Sequence, residues 1–507
     1  MKNFRLVTLF LAVLWAFTSC QEEYSLSFNL KTQDDPQFLQ QISRLTITIN
    51  DNVKEYDVSD EFKLKSTFEV NLGDVSKIKV RGYDDSDNLI AYGSSNSFAA
   101  VDYPDPLSIY FGEVDKFNLL NEENSLPDSG VSHATLFNTS EGFLTETTGE
   151  IFFGGMRDGT PVNEVWFYDP FFHANYRLNY LTAPVAYPAV MALSSSTILL
   201  FGGTTTDGII TDDLYYYSTS CSTCGSTKLT LPEDAPPPLT HAQVLRLGPF
   251  NEIYNEYEGL ELLDVFLLIG GETPEGPNEG IYLFQIYSNP TYSTITIKTK
   301  SFDWSNWRPG FVAAVFSSGD ENPGIIIAGG NGPAETMEIA INSESDGLYF
   351  NSLWNTLPSF PVINNPQAIK TKNNTVIFFG GESSDGTVLS DLYYYKEQNG
   401  SLQQYENIDL LPRKNGKITQ QGKYLLFWGG ENNNDLVETA EMVSIVESDN
   451  NISLQKLYET NLNNPRKKAK AFNISGTYTV VFGGYDLENN PLKSSEIFTP
   501  NPMNNSE

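Results

Sequence analysis

Histidine and cysteine are nearly absent from this chain: 507 residues carry three of each. The cysteines are Cys20, Cys221 and Cys224, and the histidines are His133, His173 and His241. A structural zinc site takes four ligands, commonly two Cys-x2-Cys pairs or one pair with histidines. YSTSCSTCGST, around Cys221 and Cys224, has neither a second pair nor a neighbouring histidine. No metal site and no cofactor are therefore expected. Thioredoxin-type chemistry wants its cysteine pair at a helix start, so Cys221 and Cys224 read as a loop disulfide formed in an oxidising compartment. Basic residues are scarce too, 31 Lys and Arg against 64 Asp and Glu, for a net charge of −33. Such a charge repels nucleic-acid backbones and excludes them as partners. Long apolar runs are also missing. The longest, Leu6 to Phe17, is broken only by Thr8 and is too short to span a bilayer as a helix.

What the chain does have is glycine in pairs. Seven Gly-Gly doublets each end a short apolar run: Gly154-Gly155, Gly202-Gly203, Gly270-Gly271, Gly329-Gly330, Gly380-Gly381, Gly429-Gly430 and Gly483-Gly484. Their spacings are 48, 68, 59, 51, 49 and 54 residues. A strand that ends in two glycines must turn where a Cβ would clash. FGGTTTDGIITDDLYYYS (Phe201 to Ser218) and FGGESSDGTVLSDLYYYK (Phe379 to Lys396) align without a gap. Each carries an Asp-Gly turn and then an aromatic strand. The repeat resembles the kelch motif over residues 130–500, and a period near 50 fits that family. The resemblance implies an all-β fold with a seven-bladed propeller, four strands to a blade.

Ahead of the repeats, segments such as RLTITIND and KIKVRGYDDSDNLIAYGSS alternate with period two. They predict a small antiparallel β-sandwich of Ig-like type over 20–114. Asp84 to Asn88 reads as a polar hairpin turn rather than a calcium loop. Residues 115–129 are polar and read as a linker, and 501–507 as a polar tail. Lys2 and Arg5 with the apolar run make residues 1–19 a signal peptide. Phe17-Thr18-Ser19-Cys20 resembles a bacterial lipobox, with Phe17 where leucine is usual. That resemblance implies lipidation of Cys20, an anchor in the membrane, and an outer-membrane or cell-surface location. The alternative is an ordinary signal peptide with Cys20 incidental.

Function is less readable. His133 in SHATL and His241 in THAQV take the same place in their segments and read as repeated structural residues. The copper-oxidase constellation known among kelch proteins cannot be assembled from these histidines and cysteines. The expectation is a non-catalytic module that binds a protein or a glycan; the oligomeric state is left open. The alternatives are a carbohydrate-active enzyme at the propeller mouth or a structural, adhesive envelope component. Two candidate sites stand out. The loops after the doublets supply a mouth of Arg157, Glu272, Glu382 and Glu431. At the opposite end, the insertion 249–264 carries Tyr254, Glu256, Tyr257 and Glu258, where exposed tyrosines among carboxylates suit contact with a partner. Arg466-Lys467-Lys468, the one basic cluster, reads as a solvated loop.

Overall fold

The structure is a computed structural model. It describes residues 23–502 apart from 33–36, 51, 58–66, 72–74, 100–106, 121–126, 128, 141–142, 171–173, 221–223, 249–259, 290–293, 304–306, 317–323, 332–333, 342–347, 358–359, 398–399, 434, 449–450 and 475–477. The chain is all-β, 58% strand against 2% helix, and it divides into two compact units, residues 1–114 and the bulk of 115–500.

The N-terminal unit holds one seven-stranded sheet curled into half a barrel, where the sequence predicted a sandwich of two antiparallel layers. The reason lies in its first strand. Glu23–Lys31 pairs antiparallel with Thr67–Asn71 through its first half, and in parallel with Leu107–Glu113 through its second. One continuous strand thus joins what alternation alone reads as separate layers. Alternation does set the core: Ile78 and Val80 point inward with Leu45, Ile47, Ile109 and Phe111. Asp84 is a turn residue as expected. Its Oδ1 accepts the backbone N–H of Ser86 (2.9 Å) and of Asn88 (2.8 Å), and its Oδ2 accepts Asn88 Nδ2 (3.0 Å).

The second unit contains seven four-stranded antiparallel sheets. In chain order, sheet one runs Ser132–Ser140, Phe143–Phe153, Val165–Asp169, Ala174–Arg177. Sheet two is Ala189–Ala192, Thr197–Phe201, Leu214–Ser218, Thr227–Leu229, and sheet three Gln243–Arg246, Glu261–Ile269, Gly280–Asn289, Thr294–Asp303. Sheet four is Phe311–Val315, Gly324–Gly329, Ala334–Ile341, Leu348–Leu357, and sheet five Gln367–Lys370, Val376–Phe379, Leu392–Lys396, Ser401–Tyr405. Sheet six is Lys417–Gln421, Tyr424–Trp428, Thr439–Glu447, Ile452–Asn461. Sheet seven takes Lys470–Ile474, Tyr478–Phe482 and Ser495–Thr499 from the C-terminus and its outer strand, Lys116–Leu119, from residues that read as linker. Phe117 in that strand is buried against Phe498. Four residues with two apolar ones among polar neighbours are too short a run to announce a strand.

The first strand of each sheet packs on the first strand of the next, and Lys470–Ile474 returns to sheet one. There Phe482 meets Phe152 edge-on at 5.0 Å. Each second strand is apolar where it runs into its doublet, as in Ile198–Phe201 and Leu425–Trp428, because both faces there lie against neighbouring sheets.

The doublets lock one sheet to the next. All fourteen glycines have positive φ. At five of the seven, the second glycine's N–H donates to a carbonyl on the segment entering the following sheet. Gly155 bonds Val185, Gly203 bonds Leu239, Gly330 bonds Ile363, Gly381 bonds Arg413 and Gly430 bonds Arg466, at 2.7–2.9 Å. A Cβ on Gly202 would sit 2.1 Å from the Leu239 carbonyl oxygen. No other residue type allows that approach.

Candidate ligand-binding cavity

Two residues after each of those five entry positions comes a residue in the left-handed backbone region, and Gly130 and Gly310 take the same place at the heads of sheets one and four. The set is Gly130, Tyr187, His241, Gly310, Asn365, Asn415 and Lys468, one at the head of each sheet, with φ between 52° and 77°. Four backbone bonds join neighbours among them: Tyr187 N–H donates to Gly130 O (2.7 Å), His241 to Tyr187 O (3.4 Å), Asn365 to Gly310 O (2.7 Å) and Lys468 to Asn415 O (2.8 Å). Left-handed geometry is common for Gly and Asn and unusual for Tyr and Lys, which hold it only where the surroundings fix it.

The heads of sheets one, two, three, six and seven line a cavity of about 880 Å³. Lys417, Lys468 and Lys470 bring three ammonium groups to its wall, with His133 and His241 beside them, and no Asp or Glu is among the described lining residues. Tyr187 and His241 stack with ring centroids 3.8 Å apart and planes at 25°. The Tyr187 hydroxyl lies 3.3 Å from that of Tyr485. Burial raises the Tyr187 hydroxyl to about 12, with Tyr485 adding to the shift. His133 pairs through Nδ1 with the buried Glu150 and packs edge-on to Phe482.

The lysines differ in their partners. Lys470 Nζ donates to the Val131 carbonyl, and confinement, aided by Lys417, pushes its pKa down to about 8. Lys417 is lowered by the same confinement, although its side chain reaches the water of the cavity, so it is not a dry lysine. His241 is likewise open to the cavity and hemmed in by protein. Confinement, then Lys470 and Lys468, lowers its pKa against the opposing charge of Glu272. At neutral pH its ring therefore presents a neutral face.

The residues singled out from sequence fall elsewhere. Glu382 pairs with Lys414 of the next sheet's entry (2.8 Å), and Glu431 pairs with Lys467 (2.9 Å) and accepts Asn415 Nδ2 (2.8 Å). Their charges are spent joining adjacent sheets. Glu272 bridges to Thr240 through its backbone, and Arg157 pairs with Glu164 at 2.8 Å within its own repeat. None of the four is among the residues that line the cavity. Cys20, Cys221, His173 and the loop residues Tyr254, Glu256, Tyr257 and Glu258 lie outside the described residues; Cys224 is disulfide-bonded.

Two expectations are corrected. Arg466-Lys467-Lys468 is no solvated loop. Arg466 is fully buried, pairs with Glu496 at 2.7 Å and donates to Gly483 O and Ser494 O; Lys467 is buried on Glu431, and Lys468 lines the cavity. A basic triplet can be internal when an acid is folded onto it, and Glu496 stands 30 residues away. His133 and His241 are not equivalent either. His133 opposes Phe152, two residues before its doublet, whereas the residue so placed in sheet three is Val244 opposite Leu268. A shared His-Ala is too short to set register; the doublets set it. Both histidines nevertheless reach the same cavity.

The lysines were missed, yet the sequence carried a signal. Pro412-Arg413-Lys414-Asn415-Gly416-Lys417 and Pro465-Arg466-Lys467-Lys468-Ala469-Lys470 share the pattern Pro-Arg-Lys-x-x-Lys in the two successive repeats that wall the cavity. No family model matches this chain, and a search of curated proteins finds no match to it.

Proposed function

We propose that the seven four-stranded sheets are the blades of a kelch-type seven-bladed propeller, and that the protein is a non-catalytic binding module. The strand Lys116–Leu119 closes the last blade in this reading. The head-to-head packing of successive first strands, the seven left-handed residues and the seven doublets support it. The lipobox-like Phe17-Thr18-Ser19-Cys20 supports display outside the cytoplasm on a lipid anchor at Cys20.

The observation that carries the binding role is the cavity. Its size suits a small ligand or one terminal unit of a larger one. The Tyr187–His241 stack offers a flat face, and Tyr485, Asn489 and the lysines offer polar groups around it. Among the described lining residues there is no carboxylate pair to protonate and attack a glycosidic bond, which favours binding over hydrolysis. The test is a glycan- and protein-array screen with the full chain in detergent, beside Tyr187→Ala and Tyr254→Ala/Tyr257→Ala variants. A hit lost in Tyr187→Ala is expected. A hit lost only in the double variant would move the site to the insertion, and silence across the arrays would sink the binding role.

A further inference from the structure

We propose that the cavity at the heads of the sheets recognises a small organic anion, a sugar-sized molecule bearing a carboxylate or phosphate, through Lys417, Lys468 and Lys470. This rests on the reading of that cavity as the ligand site and adds the chemistry of the ligand.

The argument starts from an anomaly of charge. Acidic residues outnumber basic ones two to one in this chain, yet three lysines and no described acid face one open cavity. Among the described residues neither Lys417 nor Lys468 has a carboxylate partner, in contrast to the nearby Lys414 and Lys467, which are matched to Glu382 and Glu431. Three like charges gathered with only Glu150 behind Lys470 and Glu272 near His241, and no acid on the described wall itself, repel one another and oppose folding. An anion seated among them would relieve that repulsion and be held by charge-assisted hydrogen bonds.

Size and field then select the kind of anion. A polyanion such as a nucleic acid would have to lie along a surface of net charge −33 and be repelled over its length. A small anion avoids this. Charges more than about 8 Å from it are screened at physiological ionic strength, so inside the cavity the nearby lysines dominate. The neutral Tyr187–His241 stack provides a face for the ring or carbon skeleton that carries the charge.

Calorimetric titration of the full chain in detergent, at fixed ionic strength, tests this with glucuronate, inorganic phosphate and glucose. Glucuronate or phosphate is expected to bind at least tenfold more tightly than glucose. Lys468→Met and Lys417→Met should each weaken the anion by about tenfold, the loss of one charge-assisted contact. Lys372→Met, which removes an equal charge from an exposed position outside the cavity, should leave it unchanged. Glucose bound as well as the anions would overturn the charge preference and leave the cavity a binding site. Anion binding indifferent to both lysines would place the anion elsewhere and overturn the proposal. Failure of every probe would overturn it too, while an array hit sensitive to Tyr187→Ala would keep the binding role standing.

Discussion

Sheets three and seven reach the same backbone arrangement with opposite core chemistry. In sheet three the entry residue is Leu239, and the third-strand residue opposite Leu268 is Tyr282. In sheet seven those places are taken by Arg466 and Glu496, both fully buried and ion-paired. Sheet six repeats the solution with Arg413 and Glu441. Both arginines also reach the carbonyl of their own doublet, Gly429 or Gly483, a bond no leucine can make. The comparison teaches that the repeat is defined by its backbone bonds, which accept any entry residue that fills the space and satisfies its own polar groups. It also shows where the difference is spent. The two sheets entered by Arg-Lys are the two that send lysines into the cavity.

The largest break in this symmetry should come from removing one partner of a buried pair. Glu496→Leu leaves the Arg466 guanidinium buried without its counter-charge and also strips acceptors from Asn463 N–H and Asn464 N–H. A loss of about 4 kcal/mol is expected in denaturant unfolding of the second unit. A loss below about 1 kcal/mol would mean the pair is not closed as described.

Next come the glycines that both halves share. Gly202 and Gly380 each face a carbonyl oxygen, of Leu239 and Arg413, that an added Cβ would meet at 2.1 and 2.2 Å. Both also have φ near 65–69°. Ala at either position should cost about 3 kcal/mol, from left-handed strain plus displacement of the next sheet. Equal costs in the apolar and the ion-paired half would establish the doublet as the common framework; unequal costs would tie it to the entry residue.

A smaller effect is expected when sheet six is rewritten as sheet three. Arg413→Leu alone buries Glu441 opposite no arginine. Combined with Glu441→Tyr it restores the chemistry of Leu239 and Tyr282, and the double variant should recover most of the loss, ending within about 1–2 kcal/mol of the parent. The Lys456 ammonium, which now pairs with Glu441, is part-exposed and can turn to water.

Much of this framework was legible because it is written in glycine. Seven doublets after apolar runs located seven second strands, and the Leu-Tyr-Tyr-Tyr segments located third strands. The curled N-terminal sheet was not legible, since alternation reports which face is buried and not which strand lies alongside. Nor was the strand Lys116–Leu119, whose partner is Ser495–Thr499 at the far end of the chain. The cavity escaped for a related reason. Lys417 and Lys470 sit in first strands and read as solvated, and the packing of those first strands on each other brings them together. Glu382 and Glu431 looked available because their lysines belong to the following repeat.

The smallest effect separates the two halves by pH. Lys470 faces Lys417, Lys468, His133, His241, Tyr187 and Tyr485 across the cavity, with Glu150 behind it. Its folded pKa of about 8 lies below the ordinary lysine value of 10.5. Between those two values the unfolded chain holds a proton that the folded chain has released, so stability rises as pH climbs from 8 toward 10.5. The full shift would correspond to about 3 kcal/mol, and water in the cavity reduces this to about 1 kcal/mol. Lys470→Met should remove that rise, and should be more stable than the parent at pH 7, where the parent still confines the charge. A bound anion pulls the other way: by holding the ammonium it returns the pKa toward 10.5, so affinity for glucuronate should fall as pH passes 8. Unfolding curves and titrations at pH 7, 8.5 and 10, on parent and variant, read both slopes. Identical slopes in the two proteins would mean that Lys470 is as solvated as a surface lysine.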